Sequence, residues 1–194
     1  AANPTLENHA FDNGTGWSTT GDVSFADGSA ILAESPSTQT RLNQVFVLGK
    51  NDRFLSFTVA AALGDQADGP DDAFEVALID ANRGVSVLGS TRLSHGDAII
   101  NRQADGSEYR ADAISVLNNP DGSRSYRMDL GGVAAGTVLN LAFDLIGFGK
   151  GADAGGSRVS IRDLHLSSEP AKPEAIDDAV ITDEDRPLLI DALA

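Results

Sequence analysis

The residues with the most chemistry to offer lie between positions 64 and 80. Asp65, Asp68, Asp71, Asp72 and Glu75 crowd the approach to a β-forming run, Phe74-Glu-Val-Ala-Leu-Ile79. Like charges this close repel and oppose a compact state. Full solvation relieves the repulsion, and so does a shared cation. Calcium takes roughly six to eight oxygens from carboxylates, carbonyls and water. The order D-x-x-D-G-P-D-D lacks the alternate acids and closing Glu of an EF-hand loop, but Gly69 and Pro70 shape a turn. The stretch therefore reads either as a solvated acidic loop or as a Ca2+ site on Asp65, Asp68, Asp71 and Asp72.

Catalytic signatures are missing. His95, in Ser94-His-Gly-Asp97, sits in no nucleophile elbow, and nothing matches a P-loop, a dinucleotide fingerprint or a zincin. His9 and His165 face each other only if the first and last strands pair. The expectation is a protein that is not an enzyme. Sugar recognition needs flat aromatics with amides, guanidinium groups and carboxylates. Phe148, in Gly147-Phe-Gly-Lys150, and Tyr109, with Asn101, Arg102 and Gln103 near it, are the candidate ligand contacts. Trp17 and Tyr126 read as core.

The bulk numbers narrow the partners. The 194 residues carry 29 acidic against 14 basic side chains, net −15. Such a field repels phosphate backbones and anionic lipid, which argues against nucleic acid and membrane insertion. No apolar run is long enough to span a bilayer, and no signal peptide is visible. No cysteine is present, so disulfides and thiolate metal sites are excluded.

The elements that must position these groups are strands. Leu55, Phe57, Val59, Ala61 and Leu63 alternate with polar or small residues, as do Phe74, Val76, Leu78 and then Tyr126, Met128, Leu130. Leu139, Leu141, Phe143 and Leu145 repeat the pattern, with Asn140 and Asp144 on the opposite parity. Shorter strands are expected at 29–33, 42–48, 85–88 and 109–117, and only 97–101 hints at a turn of helix. Asp27-Gly28, Asp105-Gly106 and Pro120-Asp-Gly122 supply hairpin turns. The prediction is an all-β antiparallel β-sandwich, a jelly roll of about eight to ten strands. In the last strand the parity slips: Val159 and Ile161 share one face, Leu164 and Leu166 the other. A slip there predicts a bulge at Asp163.

Composition shifts after Ser168. Residues 1–168 read as the sandwich domain and 169–175, with two prolines, as a stiff linker. Residues 176–194 resemble the opening of cadherin-like, immunoglobulin-type tandem repeats of giant bacterial surface proteins and adhesins. The matching positions include Asp177, Asp178, Thr182, Glu184, Asp185, Pro187, Leu188 and Ile190. The resemblance implies that the sandwich precedes a calcium-rigidified repeat array, and the chain looks excised from something longer.

The head, Asn8-His-Ala-Phe-Asp12-Asn-Gly-Thr-Gly-Trp17, and Val159-Ser-Ile-Arg-Asp-Leu-His-Leu166 together resemble carbohydrate-binding-module and galactose-binding-like jelly rolls. Arg162 stands where that family often has an Asp. The resemblance implies paired termini sharing a structural calcium, with Asp12 and Asp163 as side-chain ligands and backbone oxygens near Asn8 and Asp27. Together the two resemblances imply a calcium-stabilised module of a secreted, RTX-type bacterial adhesin at the cell surface, binding a glycan or another surface ligand. The competing expectation is a structural or dimerising spacer, a homodimer in the second case, that mediates protein–protein contacts.

Overall fold

The computed structural model describes residues 1–36, 39–64, 70–89, 97–147 and 156–168. Asp65, Asp68, His95, Phe148, the 169–175 linker and the 176–194 segment lie outside the described residues. Thirteen strands and no helix occur among those described. They are β1 Ser18–Thr20, β2 Asp22–Ala26, β3 Ser29–Ala33, β4 Gln39–Val47, β5 Phe54–Ala62, β6 Ala73–Asp80 and β7 Val85–Ser86. Then come β8 Ala98–Gln103, β9 Glu108–Arg110, β10 Ile114–Asn118, β11 Arg124–Asp129, β12 Val138–Ile146 and β13 Arg158–Ser167.

Two antiparallel sheets form the sandwich, as the alternation predicted. Sheet A runs β1-β4-β12-β6-β8-β9, with β7 on β6, and sheet B runs β10-β11-β5-β13-β3-β2. The strand count exceeds the expected eight to ten because β1, β7 and β9 span only two or three residues each. The region 109–117 is two strands on different sheets rather than one. Residues 97–101 are no helical turn but the start of β8. Ile99 and Ile100 are both fully buried there, because a register shift opposite Val76 and Ala77 inserts one extra residue. That bulge breaks the period-two pattern a strand normally shows.

β4 shows the rule most plainly. Gln39, Arg41, Asn43, Val45 and Val47 point outward while Thr40, Leu42, Gln44 and Phe46 are buried. The inner faces meet in an aromatic cluster centred on Phe143, with Phe57 edge-on at 5.2 Å and Phe74 stacked at 6.5 Å between ring centroids. Trp17 and Tyr126 extend it, at 6.4 Å from Phe143 and 5.5 Å from Phe57 respectively, so both are core as predicted. Burying each such ring stabilises by about 2–3 kcal/mol.

The first and last strands do not pair: β1 pairs with β4, and β13 with β3 and β5. His9 and His165 therefore do not face each other across a strand pair. The N-terminal segment instead seals sheet A through backbone bonds between Asn3 and the Val45–Val47 edge, 2.8 and 3.0 Å. The buried Gln44 amide also exchanges hydrogen bonds with the Glu7 backbone at 2.7 and 2.9 Å.

Candidate functional site

Pleating places alternate residues of neighbouring strands side by side on one face. On the outer face of sheet A this produces one unbroken polar row. Thr20, Arg41, Asp144, Glu75, Asn101 and Tyr109 are successive cross-strand partners on β1, β4, β12, β6, β8 and β9. Arg41 grips Asp144 with two bonds, Nε to Oδ1 at 2.6 Å and Nη2 to Oδ2 at 2.9 Å. Gln39 donates a third to the same carboxylate at 2.9 Å. The bond to Asp144 holds the guanidinium pKa above its usual value, against the opposing effect of burial. Farther along, Asn101 donates to Glu75 at 2.7 Å, and Gln103 donates to Asn101 at 3.3 Å.

The middle of the row is buried and its ends are open. The Asp144 side chain is 7% exposed, whereas Arg41 is 42% and Tyr109 44% exposed. Beside the row runs a row of small residues: Asn43, Ala142, Ala77 and Ala98 are successive partners. Alanine leaves the sheet low there, and a depression of about 280 Å³ forms over it, walled by Arg41, Asp144, Glu75 and Asn140. A shallow trough with amides, carboxylates and a guanidinium along one wall suits a ligand rich in hydroxyls. From Arg41 to Tyr109 the row crosses four strand spacings, about 19 Å, which fits an extended chain better than a single ring.

Tyr109 is held from behind. Its neighbour Glu108 points the opposite way, into the seam between the sheets. There the Glu108 carboxylate accepts from Arg124 at 2.6 Å and from Arg110 and the Tyr126 hydroxyl. Burial alone would raise the Glu108 pKa; the bonds from Tyr126, Arg110 and Arg124 outweigh it and leave the carboxyl below its ordinary value. Burial and the bond to Glu108 push the Tyr126 phenol well above its ordinary range. A three-residue edge strand is thereby clamped to β11 of the opposite sheet. Nothing in the local sequence of β9 announces this clasp, since its partners lie 16 and 18 residues away.

The structure thus brings Asn101 and Tyr109 together as adjacent members of one row. Arg102 is separated from them by the pleat; it faces the other side, and its Nη1 is buried with no hydrogen-bond partner among the described residues. Arg41, Glu75 and Asp144 belong to the row although sequence reading assigned them no ligand role. The parity of Asp144, opposite to the Leu139–Leu145 core positions, was the available signal.

The expected calcium ligands fall in two places. Asn8, Asp27 and Asp163 all adopt left-handed backbone, with φ of 44°, 51° and 56°. The turn at Gly28 approaches the Ala10 carbonyl, 3.8 Å from a Cβ placed there, so the N-terminal loop and the β2–β3 turn are neighbours. Asp12 is exposed, and the Asp163 carboxylate is held by Arg162 at 2.7 Å. At the other end Asp71 is exposed and Asp72 buried, its carboxylate accepting from the Ser157 hydroxyl at 2.5 Å. Ser157 also donates its backbone N–H to the buried Glu34 at 3.0 Å. Among the described residues, no group of three or more acidic or histidine side chains converges to hold a metal. A calcium at the first site must therefore draw mainly on carbonyl oxygens. A recess of about 510 Å³ between the β4–β5 and β11–β12 loops has acids already engaged: Asp52 accepts from Gly49 N, and Asp129 from Gly131 N.

No protein-family model matches the chain, and no curated protein sequence matches it. Solved structures resemble it in architecture. A mutant carbohydrate binding module of family 29 aligns at 10% identity and TM-score 0.44, covering 82% of this chain and 86% of its own. A CBM4 structure aligns at 14% identity and TM-score 0.43, covering 84% of this chain and 99% of its own. The enzymatically active domain of bacteriophage CBA120 tailspike protein 4 aligns at 11% identity and TM-score 0.42, covering 84% of this chain but 21% of its own. One architecture can host unrelated functions, so the functional argument rests on the side chains.

Proposed function

We propose that the chain is a non-catalytic glycan-binding module of a secreted bacterial surface adhesin, taking a neutral oligosaccharide along the outer face of sheet A. The observation that carries this reading is the polar row beside the alanine trough, ending in the exposed Tyr109. Tyr109 stacks on a sugar ring at one end, and Arg41, Glu75 and Asn140 meet hydroxyls along the trough. Ca2+ belongs to the same reading, serving stability rather than recognition. The buried Glu34 and Asp72 share Ser157, and a cation there offsets the repulsion between their carboxylates. The adhesin context leans on the repeat-like segment 176–194.

The test is calorimetric titration with neutral oligosaccharides of four or more units. Saturable binding that falls about ten-fold or more in Tyr109→Ala, with the melting temperature unchanged, supports the reading. No binding by any neutral glycan, or equal binding by Tyr109→Ala, overturns it. For the metal, excess chelator should lower the melting temperature, because an ion bound only to the native state stabilises by mass action; an unchanged melt removes calcium.

A further inference from the structure

The bulge in β13 does more than shift register. Arg162 pairs with Thr58 and His165 with Ser56, so Asp163 and Leu164 together oppose Phe57. Without the extra residue, Leu164 would lie opposite Ser56 on the outside. The left-handed turn at Asp163 sends Leu164 into the core, where it is 1% exposed, and delivers His165 to the outer face.

That face then carries two rows of its own. Ser115, Arg127, Ser56 and His165 are successive partners across β10, β11, β5 and β13. The next row is Leu117, Ser125, Thr58 and Arg162. Small hydroxyl residues in the middle leave a depression of about 360 Å³, bounded by Leu117, Arg127, Asp163 and His165. Leu117 is 65% exposed and offers an apolar flank.

The hydrogen-bonding state of this depression is one-sided. Asp121 and Asp163 both pair with Arg162, at 3.2 and 2.7 Å, and Asp129 lies 3.8 Å from Arg53. Arg127 and Arg158 have no carboxylate partner among the described residues. The Arg127 guanidinium lies over the Phe54 ring, 5.2 Å from its centroid. Stacking uses the face of the guanidinium and leaves its N–H edge for a ligand. His165 donates from Nδ1 to the Asp163 carbonyl at 2.8 Å, which orients Nε2 away from that contact. Donors predominate; the Ser56 hydroxyl lies between Arg127 and His165 in the row, and Ser115 flanks Arg127 on its other side.

We infer that the outer face of sheet B is a second ligand site, for an anionic saccharide. Arg127 takes the carboxylate or sulfate, the serine and threonine hydroxyls and His165 take ring hydroxyls, and Leu117 covers a C–H face. The site shares no residue with the trough on sheet A and stands whether or not that trough binds glycan. A net charge of −15 does not forbid it, because charges beyond about 8 Å are screened at physiological salt.

The experiment titrates the whole chain with an oligohexuronate, a sulfated oligosaccharide, a neutral gluco-oligosaccharide and oligoglutamate. The native chain, Arg127→Gln, His165→Ala and Tyr109→Ala are compared. The expected result is saturable binding of at least one anionic saccharide, identifying carboxylate or sulfate as the group read. That binding should weaken about ten-fold in Arg127→Gln, weaken further at high salt, and persist in Tyr109→Ala. Should Arg127→Gln fail to fold, the exposed His165→Ala carries the same comparison with a several-fold loss. The inference is overturned if neither anionic saccharide saturates, or if both variants bind as the native chain does. It is also overturned if oligoglutamate binds equally, which would mark an acidic-peptide surface, or if Tyr109→Ala abolishes the signal.

Discussion

The two outer faces of the sandwich arise from the same alternation yet treat one arginine each, Arg41 and Arg127, in opposite ways, although Arg162 on sheet B is also paired. On sheet A the arginine is engaged: Arg41 gives two bonds to Asp144, which also accepts from Gln39, and a second group runs from Gln103 through Asn101 to Glu75. On sheet B the Arg127 guanidinium rests on an aromatic ring and keeps its donor edge. A satisfied row is rigid and presents a mixed, near-neutral wall. An unsatisfied guanidinium waits for an anion. The lesson is that face chemistry depends less on which charges are present than on whether a cross-strand partner already holds them.

The largest expected effect comes from breaking the engaged face. Arg41→Met leaves the buried Asp144 carboxylate with Gln39 as its side-chain donor among the described residues and should cost about 2 kcal/mol in denaturant unfolding. Arg127→Gln, on the other face, should cost under about 1 kcal/mol. Equal costs would erase the contrast drawn between the faces.

Next is the seam between the sheets. The Glu108 carboxyl lies below its ordinary pKa of 4.5, so its stabilisation is present above that value and is lost as pH falls through the lowered native one. Glu108→Gln should lose about 2 kcal/mol at neutral pH and show a flatter stability profile on the acid side. It should also weaken any ligand that touches Tyr109, since β9 loosens. A mutant with the native acid profile would mean that the clasp contributes nothing.

The smallest effect tests the bulge that arms sheet B. Asp163→Ala forces a Cβ without compensation into φ 56° and should destabilise by about 1 kcal/mol, whereas Asp163→Gly should be neutral or slightly stabilising. If Ala and Gly behave alike, the left-handed turn is not what holds His165 outside.

Much of this was legible in the chain. The parity change between Val159, Ile161 and Leu164, Leu166 located the bulge, because large apolar residues favour the core side and so report which way the strand faces. Likewise Leu139 to Leu145 marked Asp144 as outward. β8 was misread because Ile99 and Ile100 are both buried; the bulge that allows this depends on β6, a partner invisible from residues 97–101 alone. Grouping Asn101 with Arg102 overlooked that neighbours in a strand point to opposite faces. Beyond the pair Asn101 and Tyr109 the polar row could not be read, since positions 20, 41, 75 and 144 join it only through register. The first calcium expectation rests on the Asp12 and Asp163 carboxylates with backbone oxygens, and the second on Asp71 and Asp72 together with Asp65 and Asp68, which lie outside the described residues.

The most direct test of the account is an amide shift map by heteronuclear NMR during titration with a neutral oligosaccharide. The account predicts shifts confined to sheet A, at Asn101, Tyr109, Ala142 and their neighbours, with Ser56, Ser115 and Arg127 unmoved. Shifts centred on Ser56 and Arg127, or none on sheet A, would contradict it.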